Sequence, residues 1–208
     1  MPKTKYVYSS TYWSTHQIIL RELGENNCIL YLGCSGGYLG KNSPQNKFYG
    51  IDADKIALLN AKKYYADVQF CDLNNTNKLK QIINKKFDVI ILADILEHLL
   101  FSEEFLRLVS KHLNSRGKII VSLPNVAHFT IRLKLLFGNF TYTDTGILDR
   151  THLHLYTERT AKELFDKSNL SIMKSYGGSN HFGFIINKLN LFKKSLSFNL
   201  IYVLEKEC

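Results

Sequence analysis

The stretch Cys28-Ile29-Leu30-Tyr31-Leu32-Gly33-Cys34-Ser35-Gly36-Gly37 decides how this chain folds. Its first five residues are a continuous apolar run without polar alternation, the pattern of a strand covered on both faces. The run stops at Gly33, and Gly33, Gly36 and Gly37 let the backbone turn tightly and approach a ligand with no Cβ in the way. Working outward, similar runs recur at residues 48–51, 68–71, 89–93 and 118–123, the last broken by Pro124. Helical spacing fills the gaps at residues 54–65 and over about a dozen residues from Ser102, whose Ser-Glu-Glu start reads as an N-cap with an acidic first turn. Residues 12–23 precede the set, with Trp13, Ile18, Ile19 and Leu23 on one face and Gly24 as the stop. Residues 125–138 and 157–170 read as later helices, and residues 171–176 and 198–204 as the last two strands.

Apolar strands alternating with helices predict an α/β chain: a Rossmann-like, doubly wound, mostly parallel seven-stranded sheet with helices on both faces. Such sheets bind ligands outside the carboxyl ends of their strands. The loops after Leu32, Ile51, Cys71 and Ala93 are therefore the places to look for chemistry.

Composition narrows the class. At 208 residues, with 45% hydrophobic and 22% charged residues, the chain reads as one ordinary globular domain. Cys28, Cys34, Cys71 and Cys208 form no CxxC pair, which favours a reduced, cytoplasmic protein over a disulfide framework or a zinc cluster. Residues 1–15 lack the apolar stretch of a signal peptide, and no run is long enough for a transmembrane segment. The net charge of +9 is spread evenly, +5 before residue 125 and +4 from there on. Without a concentrated basic patch, no nucleic acid is expected as a partner. A weak contact with an anionic membrane or partner is expected at most, through the basic, amphipathic residues 184–194; a solvated surface helix is the preferred reading of that segment.

Two carboxylates stand at strand ends. Asp52 follows Gly33 by 19 residues, the place of an acid that hydrogen-bonds a ribose diol. Asp72 ends the third strand, in reach of an adenine amino group. Either alone could equally cap the helix that follows. Together with the glycine loop they carry a resemblance, extended by Phe87-Asp88-Val89-Ile90, by Asp94-Ile95-Leu96-Glu97-His98 and by Val121-Ser122-Leu123-Pro124-Asn125. Over residues 25–170 the chain resembles the class I S-adenosylmethionine-dependent methyltransferases. It is most similar to bacterial members with a Gly-Ile-Leu-Asp-Arg-Thr-His segment, here Gly146 to His152, often linked to polysaccharide and glycosyl-transfer functions. The resemblance implies S-adenosylmethionine as cofactor, with Gly33, Cys34 and Gly36 around its methionine part, Asp52 on the ribose, Asp72 on the adenine and Asp94 beside them. It also implies a division into residues 25–124 for the cofactor, 125–160 as a substrate-covering insertion and 161–208 as the closing helix and last strands. One departure stands out: Tyr31 replaces an acid that family members carry.

The acceptor would be a small molecule, with a sugar hydroxyl first, and its hydroxyl needs a base, a metal ion or both. Asp94, Glu97 and His98 resemble the metal motif of certain RNA and ubiquinone-pathway O-methyltransferases, and His152 matches the histidine that completes it. A divalent ion such as Mg²⁺ or Mn²⁺ is the implied guest; a metal-free loop held by the same side chains is the alternative. His152, His98 and Asp94 are the catalytic candidates, His152 as the base because free imidazole titrates near pH 6.5. Aromatic residues Phe129, Phe137, Phe140, Tyr142 and Tyr156 would form the substrate cover, or simply core. Two rivals remain. The fold could persist without catalysis as a binding module. Gly33-Cys34-Ser35-Gly36-Gly37 also fits the G-x-S-x-G of a serine hydrolase, with Asp149 and His152 downstream.

Overall fold

The computed structural model of the chain describes residues 11–179, 183–188 and 192–207. Helix α1 (Thr15–Leu23) leads into strand β1 (Cys28–Leu32), short helix α2 (Tyr38–Lys41), β2 (Lys47–Asp52), α3 (Lys55–Ala61) and β3 (Asp67–Phe70). Then come α4 (Thr76–Ile82), β4 (Phe87–Ala93), a 3-10 turn (Leu96–His98), α5 (Ser102–Ser110) and β5 (Leu113–Pro124). The chain closes with α6 (Phe129–Leu136), α7 (Glu158–Lys167), β6 (Leu170–Gly178), α8 (Gly183–Lys188), α9 (Lys193–Leu196) and β7 (Asn199–Lys206).

The seven strands make one sheet in the order β3-β2-β1-β4-β5-β7-β6. Pairs among β1 to β5 are parallel, while β7 runs antiparallel to both β5 and β6. The expected doubly wound, mostly parallel architecture is what forms. Strand periodicity divides the core into two layers. Leu30 and Leu32 of β1 pack with Leu79, Phe105, Leu106, Ala161 and Phe165 from α4, α5 and α7. The intervening Ile29 and Tyr31 pack with Ile18, Ile19, Leu23, Leu58 and Ala61 from α1 and α3 on the opposite face. A small third cluster, Ile131 with Ile147 and Leu148, belongs to the segment between β5 and α7.

Some expectations need adjusting. Ser102 is not an N-cap: Phe101 takes that position, and the Ser102 hydroxyl donates instead to the Leu96 carbonyl at 2.7 Å, tying α5 to the 3-10 turn. Helix α4 carries too few apolar residues to show a period, with Leu79 its sole fully buried member, and it is started by Asn75 accepting from the Lys78 amide. Part of the expected helix over residues 184–194 lies outside the described residues, and the described parts are the two short helices α8 and α9. Among the described residues no helix is long and apolar enough to cross a membrane.

Candidate active site

The glycine loop is held by the strand beside it. Gly33 and Cys34 donate their amides to the Ile51 carbonyl at 2.7 and 3.2 Å. Ser35 takes a left-handed backbone, φ 46°, between Gly33 at 77° and Gly37 at 80°. Its amide donates to Asp52 Oδ2 at 2.7 Å, while Asp52 Oδ1 accepts from the Asp54 amide at 2.8 Å. Asp52 thus fastens the glycine loop to the end of β2. The helix-capping role falls to the next acid, Asp54, whose side chain accepts from the Ile56 and Ala57 amides. Likewise Asp72 accepts from the Asn74 amide, and Asn75 is the cap of α4.

Above the loop opens a cleft of about 430 Å³, within the range of roughly 300–1,000 Å³ usual for small-molecule sites. Gly33, Cys34, Ser35 and Gly36 line one side and Ala93 and Asp94 another. Asp52 and Asp72 are outside this lining, and Asp52 acts on it through Ser35. A Cβ on Gly36 would meet nothing closer than Asn60 Cβ at 3.8 Å, so the loop presents bare backbone to the cleft. Cys34 is buried, and burial with the neighbouring Asp52 charge pushes its thiol up to about 12, so it is a packing residue rather than a nucleophile. Tyr31, where an acid was expected, is buried yet reaches the cleft wall.

Three further residues act at this site with roles not assigned from the sequence: His16, Ser122 and Asn199. His16 of α1 faces the cleft and Asp94, and burial lowers its pKa. Its spacing to Ile19 and Leu23 puts it on the buried face of α1, the one signal that could have found it. Ser122 and Asn199, at the ends of β5 and β7, both donate to Asp94 Oδ1, at 2.7 and 2.8 Å. Asp94 sits with φ 52°, a strained setting for a residue that is not glycine. Burial raises its carboxyl pKa, against those two hydrogen bonds and the nearby His16.

Asp94 also borders a second cleft of about 200 Å³, walled by Glu97, His98, Thr145, Gly146, Asp149 and His152 among others. Here the fold gathers Glu97, His98 and His152, whose ligating atoms all lie within 4.8 Å of one another; Asp94 is not part of that group. His98 Nδ1 lies 3.1 Å from the Thr151 carbonyl, and His152 Nδ1 lies 3.0 Å from the Ile147 carbonyl. A carbonyl oxygen can only accept, so each Nδ1 carries a proton, and in a neutral ring Nε2 is the nitrogen left with a lone pair. Glu97 is fully buried, and neither carboxylate oxygen has a hydrogen-bond partner. Burial, with the Asp94 charge, drives its pKa well above the usual carboxylate range. Its main-chain carbonyl accepts from the Leu153 and His154 amides, which fixes the 151–154 segment against the turn.

The residues expected as a substrate cover divide differently. Thr145, Gly146, Asp149, Thr151 and His152 line the second cleft. Phe129, Phe137, Phe140 and Tyr142 do not line it and are exposed, and Tyr156 is buried in the main core. Ser35 lines the first cleft while Asp149 and His152 line the second, so the serine-hydrolase order is not gathered into a triad.

Residues 13–175 match the family model described as a methyltransferase domain. The chain belongs to this methyltransferase family. A search of curated proteins finds no match. Solved structures share the fold of this methyltransferase. An S-adenosylmethionine-dependent methyltransferase from Clostridium acetobutylicum is 19% identical with a TM-score of 0.63, covering 94% of this chain and 91% of that one. A TehB-like S-adenosylmethionine-dependent methyltransferase from Corynebacterium glutamicum is 16% identical, TM-score 0.57, with 92% and 86% covered. A Methanosarcina mazei S-adenosylmethionine-dependent methyltransferase is 14% identical, TM-score 0.62, with 93% and 99% covered. The protein is therefore an enzyme of the methyltransferase class, and its glycine loop presents bare backbone at Gly36 beside a cleft of ligand size.

Proposed function

We propose that this methyltransferase transfers the methyl group to a hydroxyl of a small, sugar-like acceptor seated in the second cleft. The observation that carries the reading is the pair of imidazoles held by Nδ1 against backbone carbonyls, with the ligating atoms of both rings and of the buried, unpartnered Glu97 carboxyl within 4.8 Å of one another. When bound, S-adenosylmethionine supplies an electrophilic methyl, so the protein has to align an acceptor and remove its proton. Gly33 to Gly36 would hold the methionine end, Asp52 would keep the glycine loop shaped and meet the ribose, and Asp72 would meet the adenine. Asp94, shared by the two clefts, would set the cofactor's reacting end against the acceptor. His152 is the base: burial lowers its pKa, so its Nε2 is unprotonated at neutral pH and takes the hydroxyl proton. His98 and Glu97 line the path of that proton and exclude water.

The same three side chains fit a divalent cation, because two neutral imidazole nitrogens and an otherwise orphaned carboxylate are a donor set for Mn²⁺ or a similar ion. Such an ion would be held by Glu97, His98 and His152 and would lower the acceptor hydroxyl's pKa, and His152 would then act as a ligand in place of the base. Methyl transfer to a panel of monosaccharides and nucleotide sugars, with and without EDTA, tests both halves. His152→Ala should lower turnover about a hundredfold with S-adenosylhomocysteine affinity intact. Turnover near that of the parent would remove His152 from the chemistry, and activity indifferent to EDTA would remove the ion.

A further inference from the structure

Helix α6 is apolar on all sides, with five apolar residues in eight and Arg132 and Lys134 between them. A helix of that composition belongs in a protein interior. In this fold Ile131 is its one buried side chain, while Leu136 and Phe137 are each 78% exposed. Phe129, Leu133, Leu136 and Phe137 recur at helical spacing on the side away from Ile131, so the exposed apolar surface is a continuous stripe. Contiguous apolar surface of this kind marks an interaction site.

Two chain segments that meet at this face carry no acid. No Asp or Glu occurs between Glu104 and Asp144, and none between Asp166 and Glu205. These two acid-free segments are joined in space. The Asn125 amide donates to the Phe198 carbonyl at 2.9 Å, and its side-chain nitrogen donates to the Ser197 carbonyl at 2.9 Å. The His128 and Phe198 rings meet edge-on at 5.8 Å. Phe198 is itself 46% exposed and lines the acceptor cleft, so the patch continues to the mouth of that cleft.

We infer that this face docks the enzyme onto an anionic lipid bilayer, with the stripe of α6 at the acyl boundary and Arg132 and Lys134 among the headgroups. Large exposed apolar side chains interleaved with Arg132 and Lys134 on one helix are complementary to such an interface. A second copy would bring the same positive field against itself, and a nucleic acid would leave Leu133 and Leu136 without an apolar partner. Docking there turns the acceptor cleft toward the membrane surface. The inference does not depend on which acceptor is methylated, and its failure leaves the transfer reading intact.

The test is co-sedimentation of the full chain with phosphatidylglycerol–phosphatidylcholine vesicles and with phosphatidylcholine vesicles alone. Binding is expected on the anionic vesicles and should weaken with salt. Lys134→Gln should lower it about fivefold. The double substitution Leu136→Glu and Phe137→Glu should lower it at least about tenfold, with the melting temperature and S-adenosylhomocysteine affinity of the parent. Equal binding to neutral and anionic vesicles, no binding to either, or full binding by the double variant would each overturn the inference. So would a dimer in sedimentation velocity that the double variant abolishes while the parent ignores vesicles; the face would then belong to a second copy.

Discussion

Asp52→Asn isolates the carboxylate that shapes the glycine loop. The two oxygens of Asp52 accept from the Ser35 and Asp54 amides at 2.7 and 2.8 Å. Asparagine keeps the shape and one acceptor, but its amide nitrogen must then face the other backbone donor. One charge-assisted hydrogen bond, worth about 1.5–3 kcal/mol, is lost and the other drops to a neutral bond of about 0.5–1.5 kcal/mol. The deprived amide can turn toward water because the loop is only partly buried, so the net cost is about 2 kcal/mol. If the loop keeps its shape, that cost appears as a fall in Tm of about 4–8 °C for a chain of this length. If the loop instead relaxes, the melt changes little and the cofactor must restore the native loop. S-adenosylhomocysteine then binds about thirtyfold more weakly. Differential scanning calorimetry and isothermal titration on the same samples read both quantities, and a larger affinity loss adds a direct contact with the ribose. A variant with the parent's Tm and the parent's affinity would refute the claim that Asp52 holds the loop.

Three other outcomes are expected. Mn²⁺ at about a hundred times its Kd should raise the parent's Tm by roughly 5–11 °C, from about 2.7 kcal/mol of linkage; Glu97→Gln should show little of this rise, and a parent melt blind to Mn²⁺ would leave Glu97, His98 and His152 a metal-free cluster. Gly37→Ala should cost about 2–4 kcal/mol by thermal melt, because φ is 80° and the new Cβ would lie 2.6 Å from Ala61 Cα; a cost under about 0.5 kcal/mol would mean that the loop and α3 move apart freely. Burial works to raise the Glu22 pKa, but the Tyr176 hydroxyl and the Lys174 ammonium outweigh it and hold the carboxyl below its ordinary value of 4.5. A depressed folded pKa stabilises above 4.5 and is lost as pH falls through the folded value. Tyr176→Phe should therefore cost about 1–2 kcal/mol at neutral pH and less in acid, and a pH-independent difference in urea melts would show that the hydroxyl does not act through Glu22.

Much of this protein is legible in its residues. Continuous apolar runs at β1, β2 and β4, each ending in a glycine or an acid, specify strands buried on both faces, and the alternation with helices specifies a doubly wound sheet. Local chemistry settles many helix ends too: Asp54 starts α3, and Thr157 starts α7 by exchanging hydrogen bonds with Thr160. These features depend on residues close in sequence, whose preferences act before any tertiary contact forms. The helix α4 is the instructive miss, because packing Leu79 into the core outweighs a weak local pattern.

The site is where the tertiary structure decides. His152 stands 54 positions from His98, and bonds across the fold, from the Leu153 and His154 amides to the Glu97 carbonyl and from His98 Nδ1 to the Thr151 carbonyl, bring them to a ring separation of 4.8 Å. Asp94 is read from sequence as a partner of Glu97 and His98, yet Ser122 and Asn199, from strands far along the chain, engage its Oδ1 and set it between the two clefts. His16 enters the same cleft from α1, and an isolated histidine before the first strand carries little hint of that. Likewise the apolar stripe of α6 reads as core or substrate cover from its letters, and only the fold shows that it faces outward. Sequence spacing fixes what a residue's near neighbours are, whereas charge, burial and hydrogen-bond partners at a sheet edge are set by chain segments that meet only once the sheet is built.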